Sequence, residues 1–513
     1  MNKHSIIYFL FALFSTSLFF SSCKEDLSSL DLDKISGVSF DTTGTSSLNV
    51  FQFEHLVVKP NITTELDPAD LNYEWKINVA PGSLTYDVIG TERDLDAEIR
   101  LRPTDANKFH QIVYTITDKN TGLKYVMGWP LTVRNSISEG LVIAETTDGT
   151  TTDISHIMSP LVTPNYDKVS VKHNIYSSLN GVTIPGLIKE MRYTNLRGTG
   201  PVILGITDNS FITIKTLDYS PGPADEGLFY NTPDGIKPQT LAGLQQVDVY
   251  VGNNAIHGTW LATSDKIGLP FASSYKVPDH IALDARSSGT AVALSFYDET
   301  NGSFIYQPSL TAFGDRTMHM VPSASSQAFN PTALPFKVNV AADATTDGDY
   351  LHLLKDKNTG KIGLYILGAG RYDASNRVVP PYAKSFFDLS SAPEIDAAVH
   401  FVLLNDQRVM YYATKTKIYA MLYGASNPQF ELRYTAPAGE EITTLQIYRQ
   451  ANYPFKVGYL PTNNKQLIMS TFSGTEGKVY LLPMINPGVG NIDAANIKTY
   501  GGFKKITAIA PQL

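Results

Sequence analysis

Cysteine is nearly absent from this chain, because Cys23 is the only one among 513 residues. A single cysteine cannot form an intrachain disulfide, so a disulfide-stapled fold is excluded. Cys23 follows an almost entirely apolar run at residues 6–20. That run matches the h-region of a secretory signal and is shorter than the roughly 20 residues of a membrane-spanning helix. We therefore interpret residues 1–22 as a signal peptide and exclude them from the fold.

Long apolar runs and charge are also scarce. No later apolar run reaches the roughly 18 residues of a membrane span, so the mature chain is expected to be a soluble body. Charged residues make up 18% of the sequence, and the formal net charge is -8. An acidic chain is a poor partner for phosphate backbones, so nucleic acid is excluded as the main partner.

Motifs for catalysis, metals and cofactors are missing. The ten histidines are scattered, and neither H-E-x-x-H nor G-x-S-x-G occurs, so zinc hydrolases and serine hydrolases lack their local signatures. The acidic loops at residues 343–349 and 118–120 depart from the calcium-loop order and are interpreted as solvated turns, with calcium binding as the alternative. We predict a protein without cofactor that is not an enzyme. A hydrolase with two carboxylates facing each other across a cleft stays open as an alternative.

Turn-forming and aromatic residues are plentiful instead, with 37 Gly, 29 Pro, 28 Tyr and 24 Phe. Helical periodicity is nearly absent, although residues 241–247 and 395–399 allow a turn or two of helix. This profile predicts an all-β protein. Its roughly 490 mature residues exceed what one hydrophobic core usually serves, so two or more domains are expected.

A first group of strands is predicted from residue 48 to about 135. Residues 49–57, 71–79 and 109–117 largely alternate apolar and polar side chains, and Trp75 falls on the inward face of the second of these strands. The turn at residues 118–122 ends in glycine, which suits a hairpin position with positive φ. These features predict a β-sandwich.

Residues 139–513 contain a recurring unit, which is an apolar strand, a turn of Asp, Asn or Gly, and a second apolar strand. The first strands of six such units lie at residues 140–145, 201–207, 280–296, 350–354, 400–404 and 466–470. Their spacing of about 45 to 80 residues suits four-stranded propeller blades. We predict a β-propeller of about seven blades, with six or eight as alternatives. The C-terminal run at residues 503–510 is expected to complete the blade that begins near residue 140.

Aromatic side chains beside polar groups in turns are the candidate ligand contacts, because exposed rings stack on sugars or on peptide side chains. The candidates are Trp260, Tyr372, Tyr382 and Tyr453. The alternative for each is that it covers the edge of the core.

Residues 21–26 resemble the lipobox region of bacterial lipoproteins. The resemblance implies that Cys23 is acylated and becomes the first mature residue, with a plain secretory peptide or an uncleaved anchor as alternatives. Lys24, Glu25 and Asp26 resemble the charged export tag of Bacteroidota surface lipoproteins. Residues 23–47 are therefore interpreted as a lipid anchor and flexible tether, and the protein is expected on the outer membrane, facing the cell exterior.

The segments YEWKI, VYTITDKNTG and PLTV resemble the PKD-like, or Ig-like, sandwich that opens a family of Bacteroidota lipoproteins. The resemblance implies a PKD-like domain at residues 48–135, before the propeller-like domain at 139–513. It also implies an accessory role beside SusC/SusD-type (RagA/RagB-type) importers, capturing or presenting oligopeptide or oligosaccharide. The alternatives are a purely structural subunit of the importer and a surface glycosidase or peptidase.

Overall fold

Strands dominate the computed structural model of this protein. It describes residues 37–41, 46–105, 107–196, 200–243, 247–260, 265–271, 273–284, 291–308, 317–454 and 458–513. Among these residues, Ile175–Asn180 is the one α-helix. Short 3-10 turns occur at Pro68–Asp70, Asp225–Leu228, Ile395–Ala397, Pro487–Val489 and Ala494–Asn496. The prediction of an all-β protein is confirmed.

The chain divides into two units. The first holds the described residues up to Val50, together with His55–Glu98 and Thr104–Thr132, and the second holds Phe51–Glu54, Ile99–Pro103 and Val133–Leu513.

The first unit is built on a five-stranded antiparallel sheet. Its strand order is Leu48–Phe51, Lys124–Arg134, His110–Asp118, Leu71–Asn78 and Tyr86–Gly90. Two strand pairs accompany it, His55–Val58 with Leu95–Glu98 and Val38–Asp41 with Asn61–Thr64. The single strand expected at residues 49–57 is in fact two strands, because Phe53 between them adopts a left-handed backbone with φ 65°.

Trp75 organises the core of this unit. Its side chain is 0% exposed, and its ring centroid lies 4.0 Å from that of Tyr114 and 5.9 Å from that of Trp129. The indole Nε1 donates to the carbonyl of Glu92 at 2.9 Å, which satisfies the polar atom of the buried ring. The predicted hairpin is also present, and Gly122 at its turn has φ 72°.

The described residues of the second unit form seven antiparallel sheets of three to five strands, numbered here along the chain. Sheet 1 has the order Ser170–Lys172, Thr151–Met158, Gly140–Thr146 and Lys505–Gln512, with Ile184–Pro185 also pairing to Thr151–Met158. Sheet 2 has the order Glu190–Leu196, Gly200–Ile206 and Phe211–Lys215. Sheet 3 has the order Pro238–Gly243, Val247–Gly252 and Ala255–Trp260. Sheet 4 is Ala282–Leu283, Val292–Asp298, Ser303–Pro308, His319–Met320.

Sheets 5 to 7 follow the same plan. Sheet 5 is Lys337–Ala344, Tyr350–Asp356, Ile362–Gly368, Tyr382–Asp388, with a small hairpin of Arg371–Tyr372 and Val378–Val379 before its last strand. Sheet 6 is His400–Leu403, Val409–Ala413, Lys417–Leu422, Gln429–Thr435. Sheet 7 is Glu441–Ile447, Gln466–Phe472, Gly477–Asn486, Asn491–Ile492, with Lys498–Phe503 also pairing to Gly477–Asn486. The helical turn considered at 241–247 is wrong, because Pro238–Gly243 is a strand, whereas 395–397 is a 3-10 turn.

Buried apolar clusters lie between successive sheets. One cluster joins each sheet to the next along the chain, from sheets 1 and 2 through to sheets 6 and 7. A further cluster joins sheet 7 to sheet 1, with Ile468 and Leu481 on one side and Ile143 and Ile509 on the other. Apolar packing therefore links each of the seven sheets to the next and links sheet 7 back to sheet 1. None of the described sheets closes on itself.

The last strand of the chain completes sheet 1. Lys505–Gln512 pairs antiparallel with Gly140–Thr146, so the pairing predicted for the C-terminal run is confirmed. The buried Glu145 reinforces this junction, because its carboxylate accepts hydrogen bonds from the Ser155 hydroxyl and from the backbone N–H of Lys504.

Candidate ligand-binding cavity

A cavity of about 700 Å³ lies within the second unit. Its lining residues come mainly from one edge strand of each of the seven sheets. These seven edge strands are here called the inner strands. In sheet order these are Lys505–Gln512, Glu190–Leu196, Pro238–Gly243, Ala282–Leu283, Lys337–Ala344, His400–Leu403 and Glu441–Ile447. Its volume falls in the range of about 300–1,000 Å³ that is typical of ligand pockets.

Each inner strand has a sheet partner on one side only. An edge strand presents N–H and C=O groups along its free side, so the cavity wall carries backbone donors and acceptors from all seven sheets. Side chains use some of them, since Leu241 N–H donates to Glu190 and the Ile509 carbonyl accepts from Gln446 Nε2 at 3.2 Å. The wall therefore suits a ligand rich in hydrogen-bonding groups.

Arg449 lines the cavity and bonds to two neighbouring sheets. Its Nη2 donates to Asp343 Oδ2 at 2.8 Å and to the Leu403 carbonyl at 3.4 Å, linking sheets 5, 6 and 7. Burial by itself lowers the pKa of Arg449, but the Asp343 carboxylate, together with Tyr453 and Asp406, offsets this and the pKa lies above its usual value. The guanidinium is therefore a permanent positive charge.

Tyr453 lines the cavity beside this ion pair. Its hydroxyl accepts a hydrogen bond from Asn405 Nδ2 at 3.2 Å, and Asn405 Oδ1 in turn accepts from Asn464 Nδ2 at 2.9 Å. The ring of Tyr459 packs edge-on against that of Tyr453, with centroids 5.3 Å apart. An aromatic face thus lies among amide groups, a combination that suits sugar rings and peptide groups alike.

Glu190 lies in a second polar group, formed by sheets 2 to 4. Its Oε1 accepts from Leu241 N–H at 3.0 Å and from Thr240 Oγ1 at 3.3 Å. Burial is the main cause that raises the pKa of Glu190, to about 7. The backbone carbonyl of His280, just before sheet 4, accepts a hydrogen bond from Asn339 Nδ2 at 3.2 Å. Asn339 and Asp343 lie four residues apart on the same inner strand, Lys337–Ala344.

Arg192 joins sheets 2 and 3 beside Glu190. Its Nε donates to Asp248 Oδ1 at 3.4 Å, and Asp248 Oδ2 accepts from the Thr194 hydroxyl. Burial raises the pKa of Asp248 above its usual range. Gly243 packs closely against this side chain, because a Cβ at that position would lie 2.0 Å from the Arg192 guanidinium and would make it shift.

The structure separates the four aromatic residues that the sequence suggested. Of these, Tyr453 is a cavity residue. Tyr372 is 44% exposed on the small hairpin of sheet 5, and Tyr382 is 47% exposed at the start of the last strand of that sheet, where its ring covers Gly368. Trp260 ends the strand Ala255–Trp260 and pairs with Val247. Neither Tyr372 nor Tyr382 lines the cavity.

The predicted lipidation residue Cys23 and the export tag Lys24, Glu25 and Asp26 lie outside the described residues. Within the described part of the chain, no helix is both long enough and apolar enough to cross a membrane.

Sequence reasoning did not identify Glu190, Arg449 or Asp343 as cavity residues. Glu190 and Arg449 lie in or just after short strands whose local sequence carries no motif, and Asp343 stood out only as part of an acidic loop. The packing of the seven sheets brings the three residues to one cavity. Tyr453 was accessible to sequence reasoning because it stands between Asn452 and Pro454, a turn composition.

The described residues contain no group of three or more His, Cys, Asp or Glu side chains that could hold a metal ion. In the acidic loop at 343–349, Asp343 pairs with Arg449 at 2.8 Å and Asp349 with Lys384 at 2.5 Å. These cations occupy carboxylates that a calcium ion would need.

The comparison with known protein families finds a match for only part of the chain. The model of the PKD-like family matches residues 24–187, which is about a third of the sequence. No curated protein matches the chain.

Among solved structures, AztD from Citrobacter koseri is 12% identical, with 86% of this chain and 97% of that chain covered and a TM-score of 0.35. The extracellular domain of BT4673 from B. thetaiotaomicron is 11% identical, covering 82% and 66%, with a TM-score of 0.27. PorZ, a surface component of the type-IX secretion system of Porphyromonas gingivalis, is 10% identical, covering 67% and 45%, with a TM-score of 0.27. All three TM-scores are below 0.5, so no function follows from them. What the comparisons establish is a PKD-like match over residues 24–187 within an all-β chain.

Proposed function

We propose that this protein is a non-catalytic binding component of a nutrient uptake system at the bacterial cell surface, and that its cavity captures a short oligopeptide or oligosaccharide. In this proposal the seven sheets are the blades of a β-propeller, and the cavity is its central channel. Cys23 carries the lipid anchor, and the importer is of the SusC/SusD type.

The observation that carries the proposal is the cavity wall. Inner strands from all seven described sheets turn their free edges toward one space of about 700 Å³. A short oligomer offers many hydrogen-bonding groups, and such a wall matches them with many backbone partners. The propeller interpretation is supported by the succession of sheets and by the pairing of the last strand with sheet 1.

A binding role is favoured over hydrolysis by the placement of the acidic side chains. Glu190 and Asp343 are the two acidic residues of the cavity lining, and they belong to sheets 2 and 5. Asp343 is also engaged by Arg449 at 2.8 Å. A glycosidase needs two carboxyl groups about 5 to 9.5 Å apart on either side of the scissile bond. Asp343 is held by Arg449, so it does not stand free as a second carboxylate opposite Glu190.

The surface location rests on the sequence motif at residues 21–26, and the importer association rests on the resemblance to PKD-like lipoproteins. A pulldown from outer membranes after mild detergent extraction tests the association. Recovery of transporter proteins supports it, and ligand-independent recovery without any ligand binding by the pure protein favours the alternative of a structural subunit.

Binding itself is tested by calorimetric titration of the purified protein against panels of oligopeptides and oligosaccharides. We expect saturable one-to-one binding of at least one ligand class. Tyr453→Ala is expected to weaken that binding about tenfold, because it removes an aromatic contact worth about 1.4 kcal/mol. Tyr372→Ala is the matched control, since that exposed ring lies outside the cavity. Flat titrations throughout, or equal losses in both variants, contradict the proposal.

A further inference from the structure

The charged side chains of the cavity are paired with one exception. Five Lys, Arg, Asp or Glu residues line it, and these are Lys189, Glu190, Arg192, Asp343 and Arg449. Lys189 pairs with Asp208, Arg192 with Asp248, and Arg449 with Asp343. Glu190 has no ion pair with any described residue. The cavity therefore contains one acidic group whose charge the protein leaves uncompensated.

The carboxyl group of Glu190 is held in a fixed position. Leu241 N–H and Thr240 Oγ1, both from the inner strand of sheet 3, donate to Oε1 at 3.0 and 3.3 Å. Among the described residues Oε2 makes no hydrogen bond. Two donors on one oxygen orient the group, and the second oxygen stays free for a ligand.

The charged groups near Glu190 are already engaged. Arg192, two residues along the same strand, donates through Nε to Asp248 at 3.4 Å. Asp279, in the segment before sheet 4, accepts from Gln239 Nε2 at 2.9 Å. Arg192 favours the ionised form of Glu190 and Asp279 disfavours it, while burial acts in the same direction as Asp279 and raises the pKa of Glu190 to about 7. A carboxyl group in this state lacks a cationic partner.

We propose that Glu190 is the receptor for a positively charged primary amine of the ligand. This inference rests on the proposed function, and it narrows the ligand to molecules that carry an ammonium group. An ammonium donates up to three hydrogen bonds, and a charge-assisted bond to the free Oε2 compensates the partly buried carboxylate. The amine of a peptide and that of an amino sugar present the same chemistry.

Two matched pairs of probes test the amine requirement and distinguish its sources. One pair is tetra-alanine with a free or an acetylated N-terminus, and the other is the glucosamine tetramer and the N-acetylglucosamine tetramer. Calorimetry at pH 7 is expected to show binding at least about tenfold tighter for the free amine in one pair, because a buried charge pair loses that much or more when one partner is removed. The pair that shows the difference identifies the source.

Two variants localise the effect. Glu190→Gln keeps the acceptor oxygen for Leu241 and Thr240 and removes the charge, so the preference for the free amine is expected to disappear. Glu394→Gln is the matched control, because Glu394 pairs with Lys417 outside the cavity lining. It is expected to retain the preference.

A measurement on the unmodified protein does not depend on the folding of a variant. A carboxylate–ammonium pair favours the ionised form of Glu190, so amine binding at pH 6 is expected to release close to one proton per ligand. Titration in buffers of different ionisation enthalpy measures this number. Equal binding of both members of each pair, or binding without proton release, overturns the amine site and leaves the proposed function standing. Absence of binding to all four probes overturns the amine site, whereas failure against the wider panels contradicts the proposed function.

Discussion

The chemistry of Glu190 depends on its location in the fold and could not be predicted from its local sequence. It stands in the stretch Lys189-Glu190-Met191-Arg192, which reads as an ordinary amphipathic strand. Sheet 3 changes its chemistry, because it partly covers the side chain and supplies two donors to one carboxylate oxygen. Trp75 is the opposite case, because alternation in its own strand was enough to predict its burial, and the structure has it 0% exposed.

The raised pKa of Glu190 has a consequence for stability without ligand. The pKa is about 7 in the folded protein and 4.5 as a reference for the unfolded chain. Below pH 4.5 both states hold the proton, and between 4.5 and 7 only the folded state keeps it. The free energy of unfolding therefore falls as pH rises through this window, by at most about 3 kcal/mol from this group.

Glu190→Gln is expected to remove that part of the pH dependence. Urea unfolding of the wild type and the variant at pH 4.5, 6 and 8 measures it, and the stability difference between the two proteins should shift in favour of the variant as pH rises. A difference that stays constant across the three pH values contradicts the assigned pKa.

At the scale of elements, turn chemistry made most hairpins predictable. Gly302 and Gly360 end their turns with φ 62° and 72°, as the Asp-to-Gly patterns indicated. The repeat analysis missed sheet 3, although its turn at Asn253 and Asn254, with φ 54° and 58°, fits the same set of turn residues. Asparagine tolerates the left-handed region, so the paired asparagines were a usable signal.

The cavity could not be predicted at this scale. Its wall combines seven short strands spread from Glu190 to Gln512, and strand patterns predict pairing within a sheet much better than packing between sheets. The pairing of the last strand with sheet 1 was the exception, since an unpartnered apolar strand at the C-terminus needs a partner and the first sheet offered an edge.

Ile506 tests the contribution of that last strand. It is 1% exposed and packs in the cluster between sheets 7 and 1. Ile506→Ala is expected to lower the free energy of unfolding by about 2–5 kcal/mol, because it removes buried methyl groups and leaves a cavity. Chemical denaturation measures the change.

Lys505→Ala is the control for this prediction. Lys505 is the exposed neighbour on the same strand, so its replacement should change stability by less than about 0.5 kcal/mol. Equal effects of the two substitutions would mean that the junction between sheets 7 and 1 does not depend on the buried face of this strand.

The whole molecule, in our proposal, is a binding body on a lipid tether. Acyl chains contribute roughly 0.8 kcal/mol for each buried methylene, so several chains on Cys23 anchor the protein without a membrane span. Cys23→Ser is expected to abolish incorporation of labelled palmitate and to move the protein from the membrane fraction to the soluble fraction.

Replacement of Lys24, Glu25 and Asp26 by alanine tests the role of the export tag separately from that of the lipidated Cys23. The triple variant is expected to keep the lipid and to lose accessibility to protease added to intact cells. Unchanged accessibility would show that surface export does not depend on this tag.

Capture of a ligand by the free edges of the inner strands is the central claim, and hydrogen exchange followed by mass spectrometry tests it most directly. Unpaired backbone amides exchange rapidly until a partner accepts their hydrogen bonds. With the tightest ligand from the panels, we predict slower exchange in inner strands of several sheets and at residues 449–453. Protection confined to the first unit, or to strands of the seven sheets other than the inner strands, would contradict the account.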